Sequence, residues 1–322
     1  MPWEERGGRR VNQLTLKKTF KKIPSAAFAL IFLLIIYTIF TDRFWTAENF
    51  INLAQQATVL AILSLGMTLV ILSEGIDLSA GALVSLCGVV VAVYLHQGIG
   101  IFGAVLISIG VGVAAGIVNG FFIAKAKLPP FVVTLGTMGM FQGLALVITE
   151  GSSIPGFSDS FKFIACGFIM GIPFPIVILA FLVLITYLIL YHTTFGTYIF
   201  SIGGNQEAVN LAGVSVAFYK TLIYVVAGAF AGVGGLVMTS RMNAAHPWVT
   251  LGLEFDAIVA VILGGTSFVL GKGNPFGSLV GAATIAILKN GMNILGVPIP
   301  IQVAFVGIFL ILAIIYDSIK GD

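Results

Sequence analysis

Apolar runs long enough to cross a lipid bilayer follow one another along almost the whole of this 322-residue chain, with only short polar breaks between them. A spanning helix needs about 20 predominantly apolar residues, because the hydrocarbon core is about 30 Å thick. Such runs predict about ten helices, over residues 24–40, 55–73, 78–96, 100–123, 130–149, 173–192, 220–240, 256–270, 276–296 and 298–316. The eighth is short, and only Glu74-Gly75-Ile76-Asp77 separates the second from the third. Interruptions of this kind mark broken helices that line pathways. Charged residues make up 9% of the chain and apolar ones 58%; soluble domains carry about 25% charge, enough to cover a water-facing surface. The predicted fold class is therefore an all-α integral membrane protein. Its parts are a basic tail at 1–23, one transmembrane domain at 24–317 and a short tail at 318–322.

Lys and Arg set the orientation. With the amino terminus in the cytoplasm, the inside receives Arg6, Arg9, Arg10, Lys17, Lys18, Lys21 and Lys22, then Lys125, Lys127, Lys220, Lys272 and Lys320. The outside receives Arg43, Lys162 and Arg241, and Lys289 falls inside the ninth run. The reverse orientation would invert a strong bias, so both termini are expected in the cytoplasm. No small-residue cleavage site follows the first run, where Thr41-Asp42-Arg43-Phe44 stands, so that run reads as an uncleaved helix.

Several familiar chemistries do not fit. Cys87 and Cys166 are too few for a disulfide framework, and His96, His192 and His246 are scattered, so no metal site is assigned. The stretch Gly265 to Gly273 imitates a phosphate-binding loop. It has five residues between its glycines, not four, and Gly273 replaces the required Ser or Thr. The chain is thus expected to bind no nucleotide of its own and no other cofactor, and any ATP would be used by a partner. Glycines recur at helix-packing spacing in Gly112/Gly116/Gly120, Gly139/Gly143, Gly228/Gly232 and Gly277/Gly281. Such spacing lets helix backbones approach closely in lipid.

Two acidic segments stand out, Glu74-Gly75-Ile76-Asp77 and Glu254-Phe255-Asp256. A carboxylate at mid-bilayer costs about 2.5–3.5 kcal/mol on insertion scales, so it faces protein or water. Asp77 can cap the third helix by accepting N–H bonds from Ser79 or Ala80. Glu254 and Asp256 fit either a pathway lining or an interfacial position. Asn119, Thr134, Gln142, Asn290 and Asn293 lie inside the spans. Neutral amides and hydroxyls suit an uncharged polyhydroxylated solute, and they suit interhelical hydrogen bonds as well. Together with Asp77, Glu254 and Asp256 they form the candidate translocation pathway.

The longest internal polar loop runs from His192 to Lys220, on the expected cytoplasmic face. Within it, 203–213 reads as a short helix. Asn205 is its N-cap, Glu207 lies in the first turn and Gly213 is the stop. Ala208, Leu211 and Ala212 share one apolar face. Such a helix can dock in a partner's groove. It lacks the basic residues of a membrane-surface helix.

Five segments together resemble a known family. They are Glu74-Gly75-Ile76-Asp77-Leu78-Ser79-Ala80-Gly81, Pro130 to Met138, Gly203-Gly204-Asn205, Leu253 to Ser267, and Asn290 to Val297. In this order and spacing they are similar to the membrane permease subunits of ribose-, galactose- and xylose-type ABC sugar importers. The likeness runs from about residue 30 to 317. It implies about ten helices in the bacterial inner membrane, a permease dimer with itself or a paralogue, a cytoplasmic ATPase and an extracytoplasmic sugar-binding protein. It also implies that the Gly203-Gly204-Asn205 loop contacts the ATPase. The chain departs from the family pattern at Thr197, where a basic residue is common, and at His246, where Gln is frequent. Lys289 stands for a frequent Asn and Val306 for a usual Lys. These departures leave the solute open: another polar solute, such as a nucleoside, a sugar derivative or a branched-chain amino acid, is the alternative. An ion-coupled transporter would place a carboxylate or histidine in the membrane for coupling, a part for which Asp77 is only a marginal candidate. An intramembrane enzyme would need a nucleophile or metal constellation that the sequence lacks.

Overall fold

The computed structural model describes residues 25–268 and 271–321. The tail at 1–23 lies outside the described residues. Among them the chain forms α1 (Ser25–Phe40), α2 (Ala47–Leu72), α3 (Ala80–His96), α4 (Ile101–Gly120), α5 (Pro130–Thr149) and α6 (Asp159–Cys166). It continues with α7 (Phe174–His192), α8 (Thr194–Leu211), α9 (Val216–Met242), α10 (Leu253–Leu263), α11 (Pro275–Ile294) and α12 (Ile299–Gly321). A wider turn at Phe121–Lys125 prolongs α4. The β-structure is two pairs of two-residue strands, Ile154–Pro155 against Ala244–Ala245 and Phe168–Ile169 against Ile172–Pro173.

The helices are apolar enough to cross a membrane several times, and five, α2, α4, α5, α7 and α9, are long enough on their own. The protein is a multi-pass, all-α membrane protein. Side chains such as Phe102, Val147 and Phe181 are exposed. Lipid accepts such a surface because helices satisfy their own backbone. By contrast α2 is buried along most of its length, with α7, α9, α10 and α11 packed around it.

Several expected boundaries move. The second helix starts at Ala47, not 55, because the Thr46 hydroxyl accepts from Asn49 N at 3.3 Å and caps it there. The eighth ends at Leu263, not 270, since Gly265 adopts φ +88° and turns the chain out. The last runs to Gly321, so the expected tail at 318 begins as helix. One further helix, α6, and the first half of α8 lie in stretches read as loops.

Loop contacts sort into two ends. At one, Ile154 pairs with Ala245, the Asn243 side chain accepts from Phe157 N at 3.0 Å, and His96 lies 3.1 Å from Pro155 O. The loop before α2 belongs there too, through a bond from Asn49 to Asn290 near the end of α11. At the other end, the base of α8 touches the end of α2 and the 264–274 loop.

The glycine spacing acts as expected in two places. A Cβ at Gly112 would stand 2.1 Å from the Gly228 carbonyl oxygen, so only glycine lets α4 and α9 cross this closely. Ser108 fastens the same crossing by donating to Gly232 O at 2.7 Å. Gly277 and Gly281 meet Gly264 and Ala260 in the same way, joining α11 to α10. Gly139 and Gly143 face open space.

Candidate translocation and coupling sites

The candidate pathway residues fall into separate groups. Asp77, Asn119 and Thr134 belong to one buried network. The Asp77 carboxylate accepts from Ser79 N at 2.8 Å and from Ser79 Oγ at 2.6 Å, which is the capping role its position suggests. Asn119 Nδ2 donates to Ser79 Oγ at 2.8 Å, and Thr137 Oγ1 donates to Asn119 Oδ1 at 2.7 Å. Thr134 Oγ1 reaches the Ile76 and Pro130 carbonyls. The network therefore sews the loop before α3 to the end of α4 and the start of α5. Asp77 also borders a cavity of about 10 Å³, room for one water at most.

This network carries a measurable load. Asn119→Ala deprives Ser79 of a donor and Thr137 of an acceptor, both buried. The expected cost is about 1–2 kcal/mol, given that bonds between membrane helices average about 0.6 kcal/mol and orphaned buried groups cost more. A lower midpoint in detergent unfolding checks it; an unchanged midpoint would mean that the bonds are incidental.

The other candidates lie apart. Asn290 and Asn49 exchange amide bonds at 2.8 and 3.1 Å, and Asn293 Oδ1 accepts from Gln302 at 2.7 Å. Gln142 Nε2 donates to Pro247 O at 2.6 Å. Each of these amides fastens one part of the chain to another.

Glu254 and Asp256 sit in the first turn of α10, where the helix dipole favours negative charge. They point in different directions. Glu254 accepts from Gly252 N at 3.2 Å and lies against Gly81 of α3, with Oε2 buried and unpartnered. Asp256 forms an ion pair with Lys289 of α11. Asp256 and Lys289 line a cavity of about 170 Å³ between α2, α9, α10 and α11, along with Gln56 and Arg241. Sequence reasoning placed Lys289 in a span but did not count it as a site residue. The signal was there, because a lone cation within a span needs a partner.

At the opposite end, α8 is one helix with a break at Asn205, whose φ and ψ are −163° and 94°. The expectation of a separate helix beginning at 203 is corrected here. The Thr193 hydroxyl caps a helix from Thr194, and Gly203 and Gly204 are its last turn before the break. Beyond it Asn205 Oδ1 accepts from Ala208 N at 2.9 Å and opens the second segment. Gly213, at φ +81°, closes it, with Val214 N bonded to Val209 O at 3.3 Å. Val209 turns inward, while Glu207, Ala208, Leu211 and Ala212 are exposed. Leu211 is 81% exposed. Gly203 is pressed against main chain: a Cβ there would lie 1.8 Å from Leu72 O and 2.9 Å from Gly271 Cα.

A lipid-facing bundle with fastened polar interiors and a capped apolar helix standing free at one end is the build of a membrane transport protein. The chain belongs to the family described as branched-chain amino acid transport system / permease component, which it matches over residues 49–314. It is 38% identical over 296 residues to the ribose import permease protein RbsC of Escherichia coli (strain K12), covering 91% of this chain and 92% of that one. It is 35% identical to the D-allose transport system permease protein AlsC of the same strain, over 86% of each chain. The xylose transport system permease protein XylH of Haemophilus influenzae is 28% identical, over 94% of this chain and 98% of its own length. No solved structure matches the chain.

Proposed function

We propose that this chain is the membrane permease subunit of an ATP-driven importer and forms the translocation path for a monosaccharide. The observation that carries the reading is the near full-length likeness to permeases named for ribose and D-allose. The subunit crosses the bacterial inner membrane ten times, through α1–α5, α7 and α9–α12, with both termini in the cytoplasm. The lysine and arginine bias supports that orientation. So does the sorting of loops into two ends, since α8 and the 264–274 loop then share the cytoplasmic face. Its partners are a second permease copy or a paralogue, a cytoplasmic ATPase and an extracytoplasmic sugar-binding protein. ATP is hydrolysed by the partner. The exposed second segment of α8 is the ATPase contact, through Ala208, Leu211 and Ala212, with Glu207 at the rim. Asn205 and Gly213 fix its ends, and Gly203 and Gly204 seat it on the bundle.

Cysteine labelling in intact cells tests the topology. With the exposed Cys166 first changed to Ser, Ser158→Cys is expected to react with a membrane-impermeant thiol reagent added outside, and Gln206→Cys only after the membrane is opened. External labelling of position 206 would overturn the assignment. Reconstitution with the ATPase and the binding protein tests the activity: sugar uptake must require all three proteins and ATP.

A further inference from the structure

We propose that the cavity between α2, α9, α10 and α11 is the outer solute site and that it takes a monosaccharide bearing one carboxylate, a sugar acid. This rests on the importer reading and narrows its substrate class.

The cavity is the place in the bundle where charge converges. Arg241 comes from the last turn of α9, Asp256 from the first turn of α10 and Lys289 from the body of α11. Gln56 of α2 adds a neutral amide. The remaining wall is apolar and includes Leu251 and Ala286. Under the proposed topology this is the extracytoplasmic end, since Arg241 precedes Asn243, which holds the segment around Phe157.

The charge does not balance. Lys289 is paired with Asp256, and no carboxylate pairs with Arg241 among the described residues. Two cations face one carboxylate, leaving +1 in the cavity. Glu254, two residues before Asp256, cannot supply the missing charge, because its carboxylate turns away toward Gly81. A cation set in a half-buried apolar wall holds its charge at a cost, which an anionic ligand offsets. One carboxylate neutralises +1; a phosphate monoester carries about −1.5 to −2 and overshoots. Guanidinium binds carboxylate through two parallel N–H bonds. The sugar hydroxyls then find the Gln56 amide and the Asp256–Lys289 pair, which offer donors and acceptors side by side.

The test uses the whole importer in membrane vesicles, with the exposed Cys166 changed to Ser and a reporter cysteine placed by Leu251→Cys at the cavity wall. Modification rates are measured with an anionic and a cationic methanethiosulfonate of similar size. The anionic reagent is expected to react roughly tenfold faster, as charge focusing in a low-dielectric cleft requires. Adding Arg241→Gln should erase the difference, and Asp256→Asn should widen it. These two variants act in opposite directions, so general damage to the fold cannot imitate the pair. D-glucuronate should slow modification, and D-glucose at the same concentration should not. A faster cationic reagent, equal protection by both sugars or protection by neither would overturn the proposal. An arginine that merely meets lipid phosphates would give no protection by solute. Uptake by the unmodified importer is scored separately, so continued import of neutral sugar with an unprotected cysteine leaves the importer reading standing and removes this one.

Discussion

Replacing Gly112 with valine is expected to leave little folded protein in the membrane. The new Cβ would lie 2.1 Å from Gly228 O, 2.8 Å from its carbonyl carbon and 3.2 Å from Gly232 N. All three are main-chain atoms, so no side chain can swing aside and the helices must part. Parting α4 from α9 also breaks the bond from Ser108 to Gly232 O and the one from Thr221 to Gly120 O. It loosens the contacts of Gly116 and Gly120 one and two turns away. Overpacking in a filled core costs about 1–3 kcal/mol where side chains can yield. Here the cost is expected above that range, because dispersion between closely apposed backbones is what holds the pair in lipid. The control is Gly139→Val in α5, the same change where a Cβ meets open space. It should fall within about 0.5 kcal/mol of the parent. Gel-filtration recovery from detergent compares the two, and equal recovery would show that the α4–α9 contact is not a main support.

Ala208→Arg should abolish transport at normal abundance. Ala208 is exposed on the second segment of α8, beside Leu211 and Ala212, and touches no part of the bundle core. Under the proposed coupling role, a large cation there leaves the fold intact and clashes with the ATPase surface that the small apolar stripe would meet. Uptake and sugar-stimulated ATP hydrolysis are both expected to fall by more than about tenfold, a loss of roughly 1.4 kcal/mol or more of coupling contact. Asn205→Ala should act in the same direction but less, since losing an N-cap costs about 0.5–2 kcal/mol of a helix that can still form. Normal uptake by Ala208→Arg would move the ATPase contact elsewhere, with 125–129 the next segment to try.

These consequences differ in how far the sequence foretold them. The apolar runs showed because lipid demands them in every span, whatever the tertiary contacts. The Asn205 cap and the Gly213 stop were legible because they are local chemistry. The first half of α8 was not, since Thr194, Gly196, Thr197 and Ser201 read as loop residues. They form helix because Phe195, Ile199 and Ile202 find buried neighbours. The start of α2 hid behind Glu48, Asn49, Gln55 and Gln56. Among the glycines, spacing alone could not separate Gly112, buried in a crossing, from Gly139, facing outward. The Asp256–Lys289 pair joins residues 33 positions apart, and no local pattern announces such a partnership.

The seat of α8 has a mechanical consequence. Gly203 rests on the Leu72 carbonyl and on Gly271 through main-chain atoms alone. Side chains in a contact act as springs, because their rotamers absorb small displacements. The Gly203 contact itself has none, while Ile199 packs among Leu69, Val70 and Leu72 beside it. Gly203 thereby ties α8 to Leu72, five residues before Asp77. Beyond Leu72 lie the hydrogen bonds that hold the ends of α4 and α5, so one short stretch of chain joins the exposed end of α8 to the Asp77 network.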